Sequence, residues 1–180
     1  MKPLFKTFNI AIVSIAFFTF NSFGQNVTPT DSIDVKIINA ARDIISSAST
    51  CALITLDENN VPMVRTMDPF QPDSDFTIWF GTNSKSRKVN QLKNNPTVTI
   101  YYPEKNNTGY VVIHGEAQLI DDPNAKENHW KPEWEAFYPD KSEGYLLIKV
   151  VPKWMEVLNI PQGIMGDPVT WETPVVHFNN

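Results

Sequence analysis

Three cations, Lys85, Arg87 and Lys88, crowd into four residues and are interleaved with the hydroxyls of Ser84 and Ser86, with Thr82 just upstream. Before them Phe76, Ile78 and Phe80 alternate as a strand does, and Gly81-Thr82-Asn83 reads as a tight turn. A helix is expected to open at Ser84 and run over Lys85 to Leu92, ending at Asn94-Asn95-Pro96. That puts cations at the helix end that already carries partial positive charge, where Asp and Glu belong. Free backbone N–H groups, hydroxyls and converging cations make an anion pocket, and a phosphate turns the electrostatic conflict into a gain. The bland alternative is a solvated basic turn. A further charge, Arg65, sits inside the otherwise apolar strand Val64-Arg65-Thr66-Met67. A charge there needs a partner, either an acid in a salt bridge or a phosphate gripped in two-pronged fashion by the guanidinium.

Other chemistries find little support. His114, His129 and His177 are scattered, none at metal-ligand spacing with a partner. The glycine patterns of nucleophile elbows, Walker loops and dinucleotide folds are missing from the sequence. No catalytic residue announces itself. The single Cys51 begins an apolar strand and reads as a small core residue.

The elements that position these residues form one domain. Residues 1–24 read as a secretory signal peptide: Lys2 and Lys6, an apolar run over Ile10 to Phe20, then Ser22 and Gly24 ahead of Gln25. The expected product is exported, periplasmic or secreted, and off the membrane once cleaved. Without Lys2 and Lys6 the chain keeps 13 Lys+Arg against 20 acids, a net charge of −7, which argues against nucleic acid and anionic lipid as partners. Residues 25–180 form the domain. Over 25–49, Thr28-Pro29-Thr30-Asp31 starts a helix whose apolar face carries Ile37, Ala41, Ile44 and Ile45. Strands follow at Cys51–Leu56, Val61–Met67, Phe76–Gly81, Thr97–Tyr102, Tyr110–Ile120, Tyr145–Val151 and Trp154–Leu158, the last two broken at Pro152. Asp121-Asp122-Pro123 caps a second helix running through Trp130 to about Phe137, and residues 163–180 form a wrapping tail. Consecutive hairpin-spaced strands with short helices describe a mainly β fold, a closed or nearly closed antiparallel barrel.

The order VPMVRTMD, IWFGTNSKSRKVNQLKNNPTVTIYY, GYVVIHGEAQLIDDP, YLLIKVVPKWMEVLN and GIMGDPVTW resembles the pyridoxamine 5′-phosphate oxidase-like family, in particular its general stress protein 26-like branch. The resemblance implies a six-stranded antiparallel split β-barrel of the FMN-binding type, dimeric, with FMN between protomers. It implies that Arg65 and Lys88 hold the FMN phosphate with Arg87 beside them, and that Thr66 and Met67 run along the isoalloxazine edge. Thr82, Ser84 and Ser86 would donate hydroxyls, and Tyr110 stands where the family often has a glutamine against the flavin. The expected function is a flavin-dependent oxidoreductase of unassigned substrate. Members that oxidise vitamin B6 clamp the substrate phosphate with C-terminal arginines, and this chain has none after Arg87. Deazaflavin, haem on one of the three histidines, and a cofactor-free envelope binding module using Trp130, Trp134, Phe137 and Tyr138 stay open as alternatives.

Overall fold

The computed structural model describes residues 32–139 and 143–179. The expected signal peptide and the Thr28-Pro29-Thr30-Asp31 helix start lie outside them. The fold is mainly β. The elements are α1 (Ser32–Ser47), β1 (Cys51–Leu56), β2 (Pro62–Met67), β3 (Ile78–Asn83), α2 (Arg87–Asn94), β4 (Thr97–Pro103), β5 (Gly109–Ile120), α3 (Pro123–Asn128), a 3-10 turn (Pro132–Ala136), β6 (Tyr145–Asn159), a second 3-10 turn (Ile160–Gln162) and β7 (Val175–His177). No described helix is long and apolar enough to cross a membrane.

The strands run antiparallel in the order β2-β1-β4-β5-β6-β3, with β7 added on β6. The sheet curls until its two ends meet at one point. There Pro69, just past β2, bridges to Phe80 of β3, and the Phe70 N–H donates to the Trp79 carbonyl at 2.9 Å. Among the described residues only this short backbone contact joins the ends, so the barrel is split along the rest of the seam. Strand alternation puts Leu53, Ile78, Phe80, Ile100, Ile113, Ile148, Val150 and Met155 inside, each with no exposed surface. Helix α1 closes the core with Ile37, Ala40, Ala41, Ile44 and Ile45, the stripe its spacing predicts. Cys51 belongs to the same core, and burial pushes its thiol pKa up to about 12, as expected for an inert structural cysteine.

Four expectations change. The first concerns the last two strands, which are one. Proline lacks the N–H that a ladder needs, yet β6 passes through Pro152 because the register against β5 shifts between His114 and Gly115. Second, the tail does not only wrap. Val175–His177 pairs with Trp154–Glu156 as a seventh strand, a segment too short to show a period in the sequence. Third, the second helix breaks in two, with α3 ending at Asn128 and a 3-10 turn starting at Pro132, because the residue before a proline is pushed out of helical conformation. Fourth, β3 runs through Gly81, Thr82 and Asn83 instead of turning there. The turn falls at Ser84-Lys85, and α2 begins at Arg87 with Ser86 as its N-cap.

Gly115 makes the bulge possible. A Cβ on it would lie 2.4 Å from the Val151 carbonyl oxygen, a backbone atom that cannot swing aside. Gly115→Ala is expected to destabilise the fold by about 1–3 kcal/mol through overpacking, read as a lower urea midpoint at unchanged slope. An unchanged midpoint would show that the bulge has room the geometry denies it.

Candidate functional site

Strand pairing turns Arg65 inward. On β2 it lies opposite Leu53, which has no exposed surface, while its neighbours Val64 and Thr66 face out. The guanidinium therefore reaches across one end of the barrel. Nη1 donates to Thr55 Oγ1 at 2.7 Å, and Nη2 donates to Gln91 Oε1 on α2 at 2.9 Å. Thr55 Oγ1 in turn donates to the same Gln91 oxygen at 2.7 Å. All of these partners are neutral. Among the described residues no acid stands within salt-bridge distance of Arg65, Arg87 or Lys88.

Lys88 joins from the first turn of α2. It is half-buried, and its Nζ donates to Thr82 Oγ1 at 3.0 Å; Thr82 also shares a hydrogen bond with Ser86 Oγ at 3.3 Å. The Ser86 side chain makes no cap bond to the helix, and the N–H groups of Arg87 and Lys88 lie too early in α2 to have intrahelical acceptors. The cations perturb one another. Burial and then the neighbouring Arg87 lower the Arg65 pKa, and burial and then Arg65 lower that of Lys88. Both shifts express the same condition, a group of like charges drawn partly out of water without a counter-charge. Of the two partners open for Arg65, an acid is not in salt-bridge reach among the described residues, and its hydrogen bonds go to neutral groups.

Beside this group opens a cavity of about 300 Å³, lined by Thr66, Met67, Gly81, Thr82, Lys88 and, on the far side, Trp134, Phe137 and Tyr138, with Asp68 and Asn83 completing it. The structure thus assembles Arg65, Thr66, Met67, Thr82, Ser86, Arg87 and Lys88 around one end of the barrel. Ser84 lies in the turn and donates its N–H to the Gly144 carbonyl at 2.8 Å. Tyr110 is elsewhere. It starts β5, bonds Thr173 Oγ1 through its hydroxyl at 2.9 Å, and lines a separate cavity of about 460 Å³ with Leu158, Met165 and Trp171.

Sequence reading missed Thr55 and Gln91. A signal existed for Gln91, which follows Lys88 by three helical positions and so shares its face. The aromatic wall was visible as a cluster but carried no sign of which surface it would meet. The three histidines stay apart. His114 stacks on Trp154 at 3.7 Å with its Nδ1 3.1 Å from Thr99 Oγ1, His129 stacks on Trp79 at 4.1 Å, and His177 lies on β7.

Comparison with known proteins bears on this arrangement. A pyridoxine/pyridoxamine 5′-phosphate oxidase of Pelagibacter ubique is 31% identical over 115 residues, covering 59% of this chain and 54% of that protein; the chain thus spans about half the length of this relative. General stress protein 26 of Bacillus subtilis is 25% identical over 119 residues, covering 59% of this chain and 85% of that protein. Among solved structures, the general stress protein 26 of Bacillus anthracis superposes with a TM-score of 0.59 at 25% identity, over 69% of this chain and 93% of that one. An FMN-binding protein of Nostoc punctiforme related to pyridoxamine 5′-phosphate oxidase shares the fold, with a TM-score of 0.52 at 19% identity over 86% of this chain and 99% of that one. These likenesses identify the fold as the FMN-binding split barrel. Residues 36–166 match the family described as pyridoxamine 5′-phosphate oxidase like, and the chain belongs to that family.

Proposed function

We propose that the chain binds FMN, with the flavin phosphate at Arg65, Lys88 and Ser86, and acts as a flavin-dependent oxidoreductase. One observation carries the reading: Arg65 and Lys88 sit half-buried, hydrogen-bonded only to neutral groups, without an acid in reach among the described residues. A dianionic phosphate supplies the missing counter-charge and accepts from guanidinium, ammonium, hydroxyl and helix N-terminal N–H together. The donor set fits the group. When bound, the flavin supplies the electron-transfer chemistry, and the protein supplies position and electrostatics. Thr82 and Gln91 hold Lys88 and Arg65 in place, and Met67, only 9% exposed, gives the cavity an apolar floor.

A second copy of the chain completes the reading. At about 300 Å³ the cavity is at the small end for a cofactor site. The outward sheet face is one continuous row from Thr66 through Ala52, Tyr101, Val112 and Glu156 to Val175. It is rich in uncovered apolar groups, with Val64 65% exposed beside it, and a patch of this kind marks an association surface. The cavity at Tyr110, rimmed by Met165 and the 84% exposed Trp171, extends the same apolar surface. A homodimer in which this surface faces the phosphate end of the partner accounts for both.

Three outcomes are expected. Arg65→Ala and Lys88→Ala should each weaken FMN binding by about 1.5–3 kcal/mol, the worth of a charged hydrogen bond, measured by fluorescence titration. Unchanged affinity in both would remove the phosphate assignment. The pH dependence follows from the lowered Lys88 pKa. On the alkaline side, approaching the ordinary lysine value of about 10.4, the empty folded protein holds fewer protons than the unfolded chain, so its stability rises with pH across that window. A bound phosphate restores the lysine charge, so FMN binding there takes up a proton. Calorimetry in two buffers of different ionisation enthalpy reads that uptake, and identical heats would contradict it. Sedimentation should give twice the chain mass for the wild type and a shift toward the single-chain mass for Tyr101→Lys; a wild type that sediments as a single chain would refute the dimer.

A further inference from the structure

The aromatic wall of the cavity belongs to a different part of the chain from its floor. Trp134, Phe137 and Tyr138 lie on the connection between β5 and β6, whereas Thr66 and Met67 end β2 and Gly81 lies on β3. Backbone bonds join the wall to one residue. The Trp134 N–H donates to the Lys131 carbonyl, and the N–H groups of Phe137 and Tyr138 both donate to the Trp134 carbonyl, each at 2.9 Å. Pro132 follows Lys131 and opens the 3-10 turn with its φ fixed by the ring. The place of Lys131 therefore sets the place of all three rings.

Lys131 is in turn held at the seam of the barrel. Its Nζ donates to Asp68 Oδ1 at 2.5 Å and to the Pro69 carbonyl at 3.0 Å. The same ammonium lies 5.0 Å from the centroid of the Phe70 ring and 5.4 Å from that of Trp134, within cation–π range. Asp68, Pro69 and Phe70 run from the end of β2 to the contact with β3, and Asp68 itself lines the cavity. The Lys131 side chain is only 21% exposed, deep for a lysine. Its three N–H donors take partners from several directions, so one residue joins floor, seam and wall.

We propose that Lys131, anchored by Asp68, is a positioning residue of the cofactor site: it holds the aromatic wall against the bound flavin and so sets how long the flavin stays. A wall fixed before binding loses little freedom when the ligand arrives, and supporting contacts of this kind decide how well a site is held. The inference rests on the cofactor reading and adds two residues outside the phosphate group. It also gives Asp68 an effect opposite in sign to its charge. Asp68 is an acid beside a site for an anion, so by charge alone its removal strengthens FMN binding. As the anchor of Lys131, its removal loosens the wall and weakens FMN binding.

The test measures the FMN dissociation rate and the emission of bound FMN, which contact with Trp and Tyr rings quenches. It compares the wild type, Asp68→Asn, Lys131→Met and the double variant, in which side-chain size is nearly kept. Lys153→Met is the charge control, because it removes one cation from an exposed pair with Glu116 at 3.7 Å on β5 and β6. The expected result is dissociation at least fivefold faster, with brighter bound FMN, in each single variant, and within twofold of the wild type in Lys153→Met. The double variant should dissociate no more than twofold faster than the faster single variant, since all three lose one shared contact. An Asp68→Asn protein that holds FMN as long as the wild type or longer overturns the inference. So does unchanged emission in both single variants, or a Lys153→Met protein that matches Lys131→Met. A wild type that binds no FMN overturns the cofactor reading, and the inference falls with it.

Discussion

The site depends on an arginine that is hydrogen-bonded but not neutralised. Arg65 donates to Thr55 and Gln91, and Thr55 donates to Gln91, so three side chains from β2, β1 and α2 form a closed triangle. The triangle fixes the guanidinium without cancelling its charge. A carboxylate in place of Gln91 would have satisfied Arg65 internally and left nothing for a ligand. Neutral partners are the costlier arrangement for the empty protein, because partly buried charge is unfavourable without a counter-ion. That cost is the electrostatic source of anion affinity, and Lys88 adds to it from the next element along.

Everything larger in the fold serves that placement. The β1–β2 register turns Arg65 inward opposite Leu53. The contact between Phe70 and Trp79 draws the end of β3 toward the end of β2, which brings Thr82 and the start of α2 alongside Arg65. Buried Val89 and Leu92 anchor α2 to the barrel, so its N-terminus has little freedom to retreat from the repulsion of its own cations. The aromatic cluster on the β5–β6 connection closes the other side, its rings meeting at 5.1–6.5 Å in mostly edge-on geometry. The site thus lies between a stiff polar floor and a stiff aromatic wall, with one ring, Phe137, left uncovered.

Much of this was legible in the chain. Period-two alternation located strands β1 to β6, because each has one face against a single core. Misplaced cations at a helix start located the anion site, because helix-end electrostatics acts within one turn and is written in adjacent residues. What stayed hidden depends on contacts between distant segments. The partners of Arg65 lie 10 and 26 residues away in sequence, and only the fold makes them neighbours. The continuity of β6 through Pro152 depends on the missing side chain of Gly115 on another strand. Strand β7 has three residues and exists because β6 offers it an edge. The sequence marked Trp130, Trp134, Phe137 and Tyr138 as a cluster without saying which surface it meets; Trp134 is buried against the barrel, whereas Phe137 projects at the cavity rim.

The central claim is that the cationic group is a phosphate site for a flavin. The most direct measurement compares the affinities of FMN and riboflavin, which share the ring and ribityl chain and differ in the phosphate alone. Two or more charge-assisted hydrogen bonds at about 1.5–3 kcal/mol each predict FMN binding at least a hundredfold tighter, with the advantage shrinking as salt is raised. Equal affinities, or an FMN advantage indifferent to salt, would contradict the account.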